Sequence, residues 1–289
     1  MTEEIIVHGA EWTIKELFVY PNEFIYWSIQ IVMYPYMTGL VAGAFVLSSL
    51  YHVFGQKDLK EIAQFSLVFS LALLPVAALP LLLHLQQPLR AMEPLLTPHF
   101  TSAIAAFGIV FTTYALIVIS EIWFVYREYF VFQLKALEGA PGFWNAQRRI
   151  AYRMLTFGAR DVSEDAVKVD HKAAKILAGI GIPVACFLHG YAGFIFGSVK
   201  ANALWMSPLM PVIFIMSAVV SGIELCMLTY IVIMEWAAFR RRKGNDGVSA
   251  VEIKGVEHDV INQATKYLLG FLVAAITLEL LDLIFRGYT

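Results

Sequence analysis

AKILAGIGIPVACFLHGYAGFIFGS, residues 174–198, carries one charge, Lys175, at its start and one ionisable ring, His189, about two-thirds of the way along. A hydrocarbon core needs about 20 helical residues to cross it. Backbone polar groups find no partner in lipid, so a run of this length reads as a helix that satisfies its own hydrogen bonds. Five further runs have the same character. Together the six cover 24–53, 62–86, 101–126, 174–198, 205–236 and 260–286. The expected fold is all-α, a polytopic transmembrane bundle.

Composition agrees with that reading. The 289 residues are 59% hydrophobic and 15% charged, and mean hydropathy is +0.67, too apolar for an ordinary soluble domain. The only cysteines, Cys186 and Cys226, lie in apolar runs without a CxxC spacing, so this chain is expected to hold no iron–sulfur cluster and no metal. The first 23 residues carry Glu3, Glu4, Glu11, Glu16 and Glu23 against Lys15, which is not the pattern of a cleavable signal peptide.

Basic residues set the expected direction of the chain. Seventeen lysines and arginines fall at one side, in and beside 54–61, 127–173 and 237–259. Four, Lys15, Arg90, Lys200 and Arg286, fall at the other. Both termini are therefore expected on the extracytoplasmic side. The organisation expected is an outer segment 1–23, spans one to three in 24–126, a basic cytoplasmic connection 127–173, spans four and five in 174–236, a basic loop 237–259, and span six with a short outer tail in 260–289. RRIAYRML within the long connection reads as an interfacial helix attracted by anionic lipid. The expected partner of the surface is the bilayer, not nucleic acid.

Ionisable groups at membrane depth are costly and mark candidate sites. His189 lies toward the outer half. His84 closes span two and His99 opens span three. Asn22, Tyr26, Gln30, Tyr34 and Thr38 follow an i, i+4 spacing, which puts them on one helical stripe beside Pro35. Imidazoles, phenols such as Tyr191, amides and Arg90 thus collect at the outer end. A quinone headgroup needs such a mixture, because its two oxygens gain or lose protons with each change of redox state and histidine both donates and accepts near neutral pH. The bland readings are an aromatic belt for Tyr26 and Tyr34, helix-end roles for His84 and His99, and a histidine satisfied by a backbone carbonyl for His189. Gly190, Gly193 and Gly197, like Gly39 and Gly43, read as close helix-packing positions. Toward the inner side, Glu121 and Glu224 suit a proton path, with pairing to each other, to helix-end basic residues or to hydroxyls such as Ser221 as the alternative; Arg127 is within reach of Glu121. Asp282 and Arg286 are spaced to pair, and Glu279 has no assigned role.

The run HGYAGFIFGSVKANALWMSPLMPVIFIMSAVVSGIEL, 189–225, resembles the signature of the NrfD/PsrC family, membrane subunits of polysulfide reductase-type complexes. EFIYW with TGLVAG in span one, and HLQQPLRAMEPLLTPHFTSAIAAFG at the next outer turn, support it. The resemblance implies a haem-free, quinone- or menaquinone-reactive membrane subunit of a respiratory oxidoreductase in a prokaryotic cytoplasmic membrane. It implies two partners, a four-cluster iron–sulfur protein docked on the extracytoplasmic face and a catalytic subunit. By position, Asn22 and Tyr26 match the family's polar quinone contacts, though polysulfide reductase often has histidine at the latter. His84 stands where many members carry aspartate. Members usually have eight to ten spans, against six here. On this reading His189, His84 and Tyr26 handle the protons, with Asn22, Gln30, Tyr34, Arg90 and Tyr191 also at the headgroup. Two other functions fit parts of the pattern: an ion-coupled transporter using Glu224 and Glu121, and a haem-b anchor with His84 and His189 as axial ligands.

Overall fold

The computed structural model describes residues 29–85, 88–98, 105–198, 205–244 and 257–287. Seven helices carry the architecture: α1 Ile29–His52, α2 Lys60–His84, α3 Ala105–Ala136, α4 Phe143–Leu155, α5 Glu164–Gly197, α6 Met210–Gly244 and α7 His258–Arg286. No strand occurs among the described residues. All but α4 are long and apolar enough to cross a membrane. Their large apolar side chains, Leu83, Phe187, Leu228 and Phe285 among them, are exposed around the bundle, as lipid-facing positions should be.

Polar ends lengthen several helices past the apolar runs. α3 continues ten residues beyond the expected 126, and α5 begins ten residues before the expected 174. The start of α5 is fixed by Ser163, whose Oγ accepts the Ala166 N–H at 3.4 Å, with Glu164 and Asp165 in the first turn to meet the helix dipole. Just before it, Asp161 accepts the Ser163 backbone N–H at 2.9 Å, and that bond holds the Asp161 carboxyl below its usual range. α7 closes on Gly287, which takes the left-handed conformation with φ +72°.

α1 is the centre. It packs on α2, α5 and α6, while α7 lies outside against α6 and the turn at Lys57–Leu59. One buried cluster joins α1, α2, α6 and α7 through Leu47, Ile62, Ile223 and Ala264. A second joins α1, α2, α3 and α5 through Phe45, Leu67, Tyr114 and Leu188. Where α1 crosses α6 the backbones touch. A Cβ on Gly222 would stand 2.6 Å from the Gly43 Cα, and one on Gly43 would run into the Ala218 carbonyl oxygen. Small residues at such crossings let helices in lipid gain dispersion contact where no hydrophobic effect drives them together.

α4 lies beside the end of α3. The Trp123 indole N–H donates to the Leu155 carbonyl at 2.8 Å, and the Tyr152 ring sits among Tyr129 and Phe130. Asn145, Arg149 and Tyr152 are half-buried toward the bundle, whereas Phe143, Trp144, Ile150 and Met154 are exposed. The apolar face of this basic helix therefore turns away from the protein.

Candidate functional site

The glycines of α5 bring it against the start of α6. A Cβ on Gly193 would lie 2.7 Å from the Pro211 Cα, and one on Gly197 2.8 Å from the Ser207 carbonyl oxygen. That approach seats His189, only 5% exposed, between α5, α6 and α1. Gly39 makes the room: a Cβ there would meet the imidazole Cε1 at 2.9 Å and Nε2 at 3.1 Å. The ring rests against Phe214 with centroids 5.6 Å apart. Nδ1 is buried and has no hydrogen-bond partner among the described residues.

His189 lines a lateral groove of about 270 Å³ at the end of the bundle away from the basic loops. Val32, Pro35, Tyr36 and Gly39 form one wall, Phe196, Trp205 and Phe214 another, and Ser217, Ser221 and Glu279 add polar atoms. Glu279 comes from α7, which is held in place nearby: Ser207 donates to Asp282 Oδ1 at 2.5 Å, and Arg286 pairs with the same carboxylate. The Asp282–Arg286 pair thus forms as its spacing suggests, and Ser207 extends it to the chain entering α6. Glu279 is the residue that sequence reasoning missed. Its only signal was a charge inside span six, and nothing in a single run says which helix that charge will face.

The other candidates divide around α1. Tyr34 is buried on the far side of that helix from the groove, edge-on to Phe107 of α3 at 5.2 Å. Thr38 is buried with it, its hydroxyl donating to the carbonyls of Tyr34 (3.1 Å) and Pro35 (3.0 Å), and Gln30 is half-buried. The stripe turns inward, as its polarity suggests, but toward α3. Tyr191 is half-buried between Phe187 and Phe194, with centroids at 5.9 and 6.2 Å. His84 ends α2, half-buried, and is not part of the groove lining. Arg90 is exposed in the following turn and pairs with Glu93 at 2.5 Å, which holds the Glu93 carboxyl below its usual range. Asn22, Tyr26 and His99 lie outside the described residues.

The two inner carboxylates also separate. Glu224 is exposed on α6, on the same face as Ser217 and Ser221. Glu121 is fully buried, and neither of its oxygens has a hydrogen-bond partner among the described residues. The expected contact with Arg127 does not form. Six residues along a helix is about 240° of rotation, so Arg127 turns to α5, where Nη2 and Nε meet Asp170 Oδ2 at 2.6 and 2.7 Å and Nη1 donates to the Asp161 carbonyl at 2.6 Å. The basic group nearest Glu121 is instead His52 of α1, with Nδ1 at 3.6 Å.

Comparison with known proteins agrees with the fold. The sequence profile described as "Polysulphide reductase, NrfD" matches residues 20–280. The C subunit of a selenate reductase from Mesobacillus selenatarsenatis is 33% identical over 204 residues, covering 71% of this chain and 47% of that one. The C membrane subunit of a putative dimethyl sulfoxide reductase from Halobacterium salinarum is 27% identical over 221 residues, covering 75% and 46%. The chain spans about half the length of these curated relatives.

Proposed function

Because the chain belongs to the NrfD/polysulphide reductase family, we propose that this multi-pass membrane protein is the quinone-reactive subunit of an oxidoreductase complex, and that the headgroup sits in the groove at His189. Both relatives are named as reductase subunits, which supports the assignment to such a complex. With the basic loops in the cytoplasm, the groove opens in the extracytoplasmic half. An iron–sulfur protein docked on that face would pass electrons between the quinone and a catalytic subunit.

The observation that carries this reading is His189 itself: an imidazole at membrane depth, its Nδ1 unpartnered among the described residues, lining a groove with aromatic walls. Groove volume, near the lower end of the roughly 300–1,000 Å³ typical of small-molecule sites, suits one ring, with the isoprenoid tail left in the surrounding lipid. Quinol oxidation releases two electrons and two protons. The His189 ring takes one proton, and the Glu279 carboxylate, lining the same groove from α7, is placed to take the other. Trp205, Ser217 and Ser221 orient the oxygens and hold the ring. The stripe at Gln30 and Tyr34, with Tyr191, lies behind α1 and supports that wall rather than touching the headgroup.

The test is His189→Gln in the assembled complex. Loss of a positioned proton acceptor removes about a hundredfold or more of the rate, so quinol oxidation falls by that order while the subunits still co-purify. Wild-type turnover in this variant, or a roughly tenfold greater loss in Tyr34→Phe than in His189→Gln, would move the site away from the groove.

A further inference from the structure

Glu121 poses a separate problem at the opposite, basic end. Its carboxylate is fully buried on α3 beside His52 of α1, with no donor on either oxygen among the described residues. An ionised carboxylate left so is costly by several kcal/mol, and such groups persist only with a partner or a proton. Its neighbour His52 has an informative geometry. The His52 Nδ1 lies 3.2 Å from the Ser48 carbonyl oxygen and 3.1 Å from the Ser48 hydroxyl. In the tautomer with hydrogen on Nδ1 the ring donates to the Ser48 carbonyl, and the same nitrogen lies 3.6 Å from Glu121 Oε1. Nε2 is then the imidazole's open lone pair.

We propose that His52 and Glu121 form a proton-holding site at the basic end of the bundle, distinct from the groove at His189. Starting from carboxylate and neutral imidazole, a proton arriving from the basic side binds His52 Nε2. The Nδ1 proton then passes to Glu121 Oε1, leaving a carboxylic acid beside a neutral imidazole of the other tautomer. One proton enters, one shifts, and no net charge beyond the entering proton is added. Between these states the pair is net neutral whether the proton rests on oxygen or nitrogen, which suits a group that must both hold and release it.

The surroundings leave this role to the pair. Arg127 and Asp170 are committed to each other, and Glu61 of α2 accepts from the Tyr230 hydroxyl at 3.3 Å. His171 of α5, an exposed second imidazole, lies on the entry side. Inward along α3, the Tyr114 hydroxyl meets the Val41 carbonyl at 3.4 Å, and Ser70 meets it at 3.2 Å. Apolar Phe45, Val118 and Leu188 fill the space around these hydroxyls, so the site is a reservoir and not one end of a continuous polar wire. Gly39 and His52 are about 20 Å apart along α1 at 1.5 Å per residue, so the two proton-handling regions are separated by most of the span.

The site stands whatever the groove binds; only its use during turnover rests on the quinone reading. pH-dependent infrared difference spectra of the full chain in lipid nanodiscs test it directly. A protonated-carboxyl band that shifts in D₂O is expected in the wild type, lost in Glu121→Gln, moved in His52→Gln and unchanged in Glu128→Gln, an exposed carboxylate on the same helix. A wild type with no titrating protonated-carboxyl band, or one whose band ignores His52→Gln, overturns the proposal without reliance on the folding of Glu121→Gln. If wild-type complex draws no electrons from quinol, the groove reading fails and the spectra still decide this one.

Discussion

Gly222→Ala places one methyl group where the backbones of α1 and α6 cross in contact. The added carbon would lie 2.6 Å from the Gly43 Cα, and 2.7 Å from both the Ala44 nitrogen and the Leu40 carbonyl oxygen. All three are backbone atoms, so no side chain can rotate away. To restore ordinary contact at 3.4 Å, α1 and α6 must part by about 0.8 Å at the crossing. Overpacking of this kind costs about 1–3 kcal/mol, a factor of roughly 5 to 150 in the folding equilibrium at 1.4 kcal/mol per decade. Gly39 and His189 lie one turn along the same interface, so the groove loosens with it. Unfolding in mixed micelles, followed by tryptophan fluorescence, measures the cost. Gly179→Ala and Gly270→Ala are the controls, since a Cβ at either meets nothing within 4 Å and the substitution removes only glycine's helix penalty. A Gly222→Ala protein as stable as these controls would refute the claim that backbone contact at this crossing holds α1 in place.

Two further outcomes follow from the basic end. Asp170→Asn strands the buried Arg127 guanidinium and should cost about 3–5 kcal/mol in the same unfolding assay, with Arg127→Met/Asp170→Leu recovering part of it. The Asp161 carboxyl is held low by the Ser163 N–H, so its contribution is complete above the unfolded carboxylate's pKa of about 3.9 and fades as pH falls below that. Amide exchange at the start of α5 should therefore be faster in Asp161→Asn than in wild type at neutral pH, and the two should converge in acid.

Span number and fold class were legible because a run such as 174–198 has one reading in lipid. Helix limits were less so. The charged starts and ends of α3 and α5 look like loop in a hydropathy trace, and it is the Arg127–Asp170 pair that binds them to each other. His189 stood out since a titratable ring in an apolar run costs too much to be placed there idly, and the glycines around it were read correctly as packing positions. Pairings were the illegible part. Glu121 has Arg127 nearby in sequence, yet helix phase sends the arginine to α5 and leaves His52, some seventy residues earlier, as the neighbour. The polar stripe of α1 was visible as a stripe, but a periodicity does not reveal that it and His189 would end on opposite sides of the same helix.

The central place of α1 has a consequence for biogenesis. Of the six apolar helices α1 is the most enclosed, two-thirds of its apolar window covered, and α6, whose backbone it touches, is synthesised about 170 residues later. Until then its glycine and serine face has no permanent cover. Small residues tolerate lipid in the interval, and Thr38 and Ser49 occupy their hydroxyls within the helix itself. The groove therefore cannot form until α6 closes over α1, so damage to that contact should show first as degraded newly made chains.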